Sequence, residues 1–436
     1  MTQTRRGLLT GVLALVVLTS VLAGCQRARV GTRCAGSDFG FDSTHVLQCK
    51  KGRWVRVMTL ARYAELVKEP SGGPMNGALK LSAGHGFSCA LMRSRGTVKC
   101  WDVAHEGETG TGETVNQISP VTVPGVQGAS QIFLGNGTHA CVTVGELATV
   151  TCWGNNSDGQ IGTGTTSPTS TAVQILLSSS TMRIGIGRAH TCSVISNGRV
   201  NCWGANESGE LGLGKVSASE PTPTAVPGVT DAIDIAAGAG HTCIVRKGGT
   251  VQCWGANDAG QLGNGTTTDS SVPVDVIGVT GATAIVAGSV HTCAVVGNGA
   301  VKCWGANRLG QLGNGVAVPL VDPGPAPSTT AVDVVGVTGT ERLSASADHT
   351  CATFRDGTAA CWGIGGSGQL SIEPTAGSGT PVPVAAGGPV DWVSAGWRHT
   401  CGIRAYGQVV CWGNNTGGEL GDGTAVGRST PDRFVG

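Results

Sequence analysis

Fourteen cysteines fall into seven close pairs, and the second member of each pair stands directly before a tryptophan. The pairs are Cys89 and Cys100, Cys141 and Cys152, Cys192 and Cys202, Cys243 and Cys253, Cys293 and Cys303, Cys351 and Cys361, and Cys401 and Cys411. No Cys-x-x-Cys occurs, so zinc ribbons and thioredoxin-like redox motifs have no support. Cross-strand disulfides and buried free thiols remain as readings of the pairs. Six histidines recur in register with them, at 139, 190, 241, 291, 349 and 399. A metal site needs its ligands within bonding distance of one ion. One histidine per repeat distributes them around a circle instead, so they are expected to be hydrogen-bonded structural groups with no metal.

The first cysteines recur with a period of about 50, the signature of a propeller, a solenoid or an array. One unit shows which. Residues 232–236 alternate and end at a glycine. Residues 241–246 and 250–254 read as two further strands, 257–265 as a glycine-rich loop, and 272–276 as a fourth strand. Four short antiparallel strands make one propeller blade, and seven units make seven blades. Glycine supplies 72 residues and aromatics only 4%, which suits short strands and many turns and disfavours a helical bundle. The expected fold is all-β.

The hairpin can be counted. If Cys243 faces Cys253, then Val245 faces Val251, Arg246 faces Thr250, and Lys247-Gly248-Gly249 is left as a three-residue loop. Such loops end in a left-handed residue, where glycine is favoured. Gly96, Gly198, Gly299, Gly357 and Gly407 hold that place in five other repeats, and Ala148 in the remaining one. Directly opposed residues lie about 4.5–5.5 Å apart at Cα, within disulfide reach.

The unit resembles the repeat of the regulator of chromosome condensation family. The residues that carry the likeness are Ala236-Ala237-Gly238, His241-Thr242-Cys243, Cys253-Trp254-Gly255, Asn257 and Gly260-Gln261-Leu262-Gly263, with copies around the chain. The resemblance implies a seven-bladed β-propeller over about residues 78–436, with repeats near 78–128, 129–180, 181–230, 231–280, 281–338, 339–388 and 389–436. The first repeat departs from the pattern: Phe87 replaces the histidine, and Glu108–Gly112 only echoes the loop.

Ahead of the ring, Arg5 and Arg6 precede an apolar run from Leu8 to Ala23, the layout of a secretory signal. Arg5-Arg6 also faintly resembles a twin-arginine signal. The run closes on Leu22-Ala23-Gly24-Cys25, which resembles the lipobox of bacterial lipoproteins and implies cleavage after residue 24 and lipidation of Cys25. Gln26 favours the outer membrane. Setting Cys25 aside turns 17 cysteines into 16, and Cys34 with Cys49 forms the eighth pair. Export permits disulfides. Residues 25–77 read as a small Cys-stapled module with a hairpin around 47–54, a short helical stretch at 60–68 and a linker at 70–74. Removal of Arg5 and Arg6 leaves 27 basic against 28 acidic residues, a balance of −1, with no basic run suited to nucleic acid.

Several tempting motifs dissolve on inspection. Gly209–Lys215 spells a phosphate-loop pattern, but Val216 stands where the metal-binding hydroxyl belongs. Asn155–Gly159 lacks the acidic spacing of a calcium loop. Trp397-Arg398 is different, since no other repeat has tryptophan there. It resembles a motif of the plant ultraviolet-B photoreceptor, which groups such tryptophans from several blades, and a single copy cannot build that group. An exposed Trp-Arg pair has the composition of an interface anchor. The insertion 316–330, rich in proline and glycine, is a second candidate for a binding face.

The expectation is a non-enzymatic scaffold, lipid-anchored at the cell envelope, with no cofactor and no catalytic residue. It would bind a protein or cell-surface polymer through a face that includes Trp397 and Arg398. The alternatives are a guanine-nucleotide exchange regulator, a secreted β-lactamase-type inhibitor, and a propeller hydrolase or lyase.

Overall fold

The computed structural model describes residues 75–436, apart from 103–104, 146–147, 176, 178, 317, 319–323 and 376, together with four strands nearer the N-terminus. Two compact units divide the chain, Met1–Ser71 and Gly72–Gly436. In the first, Gln26–Arg27 pairs parallel to Phe39–Phe41, and His45–Lys50 forms an antiparallel hairpin with Arg53–Thr59 in which Cys49 faces Trp54. The signal segment 1–24, Cys25, Cys34 and residues 60–68 and 70–74 lie outside the described residues, as do 317 and 319–323 of the insertion.

The second unit is a ring of seven antiparallel sheets, each built in chain order. The fourth blade holds Ala232–Ala237, His241–Arg246, Val251–Gly255 and Ser270–Asp275, each within two residues of the span expected from alternation. First strands of consecutive blades pack on one another, and Val390–Ala395 of the seventh packs on Ala78–Ala83 of the first, so these strands line the axis. Three strands form the seventh sheet, and the bridges Gly413–Arg428 and Val410–Phe434 bring the C-terminal segment into its outer position.

Closure uses the joint that every other blade makes within a continuous chain. Val276 N–H donates to Val251 O at 3.0 Å, and Val334 N–H to Val301 O at 2.9 Å. At the seam, Val435 N–H donates to Val409 O at 2.9 Å and Met75 N–H to Val435 O at 2.5 Å. Met75 fills the apolar place that Val126 and Val279 fill elsewhere. The ring therefore takes in Met75–Gly77, ahead of residue 78.

All seven cysteine pairs of the ring are directly opposed and disulfide-bonded, with Cα atoms 4.0–4.1 Å apart. The hairpin loop is as counted: Val245 faces Val251, and Gly249 is left-handed at φ 81°. Ala148 adopts the same conformation at φ 47°, where a β-carbon costs about 1 kcal/mol. Each disulfide closes a short loop inside one blade, which by chain entropy stabilises by about 3 kcal/mol or slightly less. Joint replacement of Cys243 and Cys253 by alanine is expected to lower the unfolding free energy by about 2–3 kcal/mol in guanidinium titrations without reductant.

Candidate functional site

The repeated chemistry is structural, and it lies between blades. His241 Nε2 meets Thr292 Oγ1 of the next blade at 2.8 Å. Thr292 Oγ1 donates in turn to the backbone oxygen of Gln261, and Trp304 Nε1–H donates to that same oxygen at 2.9 Å. The Thr hydroxyl has one proton and gives it to the carbonyl. Its oxygen must therefore accept from the imidazole, which fixes the neutral Nε2–H tautomer. The contact recurs from His139 to Thr191, His190 to Thr242, His291 to Thr350, and His349 to Thr400. At the seam His399 meets Ser88 Oγ at 2.7 Å. Trp101 and Trp153 use the same oxygens, of Glu419 and Glu108, so the degenerate loop 108–112 still performs the repeat's task.

Glycine stands three residues before four of these imidazoles, at Gly187, Gly238, Gly288 and Gly396, where the ring leaves no room for a side chain. A β-carbon on Gly238 would lie 2.1 Å from His241 Cε1, and one on Gly263 would lie 2.8 Å from Trp304 Cδ1. Nδ1 of all six histidines is buried without a hydrogen-bond partner. Phe87 has no imidazole to offer the second blade, and there Ala140 replaces the threonine. Both halves of the contact are missing at that one interface, and Phe87 packs with Ala140 in an apolar cluster.

One end of the axis is formed by the loops that follow the first strands. The second blade has one extra residue here, and Asn136 uses it to reach across the ring. Its Nδ2 donates to Ala287 O at 3.3 Å, and its Oδ1 accepts from Ala347 N–H at 3.0 Å. The axis is thus capped at this end.

Trp397 and Arg398 lie beside the cap, and the structure adds a residue that the sequence did not single out. Trp397 is 42% exposed, whereas the seven tryptophans that follow cysteine are fully buried. Its ring stacks on His85 of the first blade, centroids 4.5 Å apart, and the Arg398 guanidinium lies 4.9 Å from its centroid. Trp397 N–H donates to Gly84 O across the seam. Burial, with a smaller contribution from the Arg188 guanidinium, lowers the His85 pKa. Asp348 accepts from Gln311 Nε2, and burial raises its pKa against the opposing pull of Gln311 and Arg398. An aromatic-cationic patch on rigid loops is suited to docking, with a flat ring and a fixed guanidinium as anchors.

Fold and face define a seven-bladed β-propeller with a built axial surface. The chain belongs to the RCC1-like domain family, which matches residues 127–435. The fold is similar to that of yeast RCC1 (Prp20) in its complex with Kap60, at a TM-score of 0.68 and 19% identity over 85% of this chain and 90% of that one. It is also similar to human WBSCR16, at 0.67 and 19% over 78% and 94%. Human E3 ubiquitin-protein ligase HERC2 is 34% identical over 117 residues, 26% of this chain, which spans only 2% of that protein's length.

Burial holds the six histidines neutral, with His139, His241 and His349 lowered to about 3 and His190, His291 and His399 to about 4. An unfolded histidine titrates near 6.5, so below that pH the unfolded chain binds protons that the ring refuses. Stability is then full above about pH 6.5 and falls as pH drops toward 3–4. Burial raises Asp234 to about 6, and raises Asp348, Glu108 and Glu210 as well, and these carboxyls oppose the trend in part. Replacing His241 by phenylalanine and Thr292 by alanine copies the first interface. It is expected to reduce the slope of unfolding free energy between pH 6 and pH 4.5 by about 1.4 kcal/mol per pH unit, as read from denaturant titrations.

Proposed function

We propose that this propeller is a non-enzymatic binding scaffold, exported and held at the cell envelope by lipid on Cys25, that docks a protein or cell-surface polymer through the face around Trp397, Arg398 and His85. The observation that carries this reading is the exposed Trp397 stack, which breaks the repeat at the seam of the ring. RCC1-like propellers are mostly regulators and exchange factors that act by binding, and a protein-docking role is consistent with that family. Seven disulfides support an oxidising compartment. The lipobox-like Leu22–Cys25 supports the anchor.

Crosslinking on intact cells followed by mass spectrometry tests the docking face. Joint replacement of Trp397 and Arg398 by alanine is expected to abolish the main crosslink while leaving the thermal midpoint within about 2 °C, since surface changes rarely exceed 0.5 kcal/mol. An unchanged crosslink would remove this face from the account. Cys25→Ser is expected to move the protein from the membrane fraction to the soluble one, and membrane retention would contradict the lipid anchor.

A further inference from the structure

The opposite end of the axis differs in character. In each first strand a bulge follows the first residue, and the third residue then reaches toward the next blade's first strand. Around the ring these third residues are Lys80, Gln131, Arg183, Asp234, Ala284, Arg342 and Trp392. Lys80 Nζ donates to Ser130 O at 3.0 Å, Arg183 Nε lies 3.6 Å from Asp234, and the Arg342 guanidinium sits 4.3 Å from the Trp392 ring centroid. Asp234 also accepts Ile285 N–H, so the one acid at this level is engaged on both sides.

Lys80 belongs to the first blade, while Arg183 and Arg342 belong to the third and sixth, each two places away around the ring. Burial, then Arg183, then Arg342 lower the Lys80 pKa. Lys80, Arg183 and Arg342 hold the same position, just after the bulge, on first strands that pack side by side around the axis. Glu341 and Asp391 are exposed at the rim, alongside exposed Leu79, Met182 and Ile233.

Two residues deeper, the wall is divided. Ser344, Ser394 and Ser82 stand in the consecutive blades six, seven and one, beneath Arg342, Trp392 and Lys80. Phe133, Gly185, Ala236 and Val286 occupy the other side. Ser344 Oγ accepts Ala395 N–H at 3.0 Å and Ser394 Oγ accepts Ala83 N–H at 2.9 Å, so each hydroxyl keeps a proton to donate. The far end is capped by Asn136.

We propose that the axial channel is a one-ended well for a small oxyanion-bearing ligand with an apolar body, carboxylate or phosphate, entered where the first strands begin. The head group meets Lys80, Arg183 and Arg342 and accepts hydrogen bonds from the Ser344 and Ser394 hydroxyls, while the body lies against Trp392 and the apolar wall. This site is separate from the docking face, and its failure would leave that reading untouched.

The test is calorimetry and tryptophan fluorescence on the purified exported protein with benzoate, phenyl phosphate, inorganic phosphate and benzylammonium. Benzoate and phenyl phosphate are expected to bind and to change the emission, and the emission change is expected to vanish in Trp392→Phe. Stronger binding of one than the other identifies carboxylate or phosphate as the preferred head. Lys80→Met and Arg342→Met are each expected to weaken binding about tenfold, the scale of one charge-assisted contact. Ser344→Ala, a smaller change, is expected to weaken it less, and each variant's denaturation midpoint reports that the ring is intact. Binding of benzylammonium as tight as that of benzoate, binding of inorganic phosphate alone, no binding of either aromatic anion, or affinity unchanged in both methionine variants would overturn the proposal.

Discussion

The backbone oxygen in each Gly-Gln-Leu-Gly loop is where consecutive blades are joined. In blade four, Gln261 O receives the Trp304 indole N–H and the Thr292 hydroxyl of blade five, and Thr292 receives the His241 imidazole of blade four. A buried carbonyl has two lone pairs, and leaving either unused in a dry interface costs free energy. The node uses both. It also determines much of the repeat at once. Tryptophan is needed for a donor with a large apolar body, threonine for a hydroxyl that accepts and donates, histidine for a neutral donor, and glycine where the rings press on the chain. Such an interface suits a repeat protein, in which each unit contacts only its neighbours.

The disulfides serve a different purpose. They lie within blades and cross-link no two of them, although their sulfurs pack on the next blade, with Cys243 Sγ 3.8 Å from Thr292 Oγ1. They fix the hairpin that presents the His-Thr pair on one strand and Trp on the other: His241 faces Gly255 and Thr242 faces Trp254. In a chain with few aromatics and many glycines, that local restraint offsets part of the conformational entropy lost on folding. The division of labour also explains why the ring can close at a seam of two chain segments. Trp101, Ser88 and Met75 present to the seventh blade the same groups that a continuous blade would present.

Much of this was legible because it is local. Strand alternation, the three-residue loop and the cysteine register are all set within about a dozen residues, and Ala148 takes the left-handed conformation that its position demands. The histidines were readable as structural groups, but their partners were not, since Thr292 meets His241 only once two neighbouring blades pack together. The joint loss at Phe87 and Ala140 is visible in the sequence, yet it acquires meaning only when those residues face each other. Trp397 stood out because it breaks the repeat. Its stacking partner His85 lies 312 positions away, in the least regular repeat, and gave no signal of its own. Lys80, Arg183 and Arg342 resemble ordinary solvent-facing residues of alternating strands, because the axis that gathers them is a property of the whole ring. The cap was hinted at only by one extra residue between Gly135 and His139.

The joining of blades through the histidine-threonine contact is tested most directly at the interface that lacks it. Phe87→His, Ala140→Thr and the double variant form a thermodynamic cycle read by guanidinium unfolding at pH 7.5. Phe87→His buries an imidazole without its acceptor and is expected to destabilise the ring by about 1–3 kcal/mol, whereas Ala140→Thr, whose hydroxyl finds the Glu108 backbone oxygen, is expected to cost less. The double change is expected to recover a coupling energy of about 1–3 kcal/mol. Purely additive losses in the double variant would contradict the claim that this contact joins the blades.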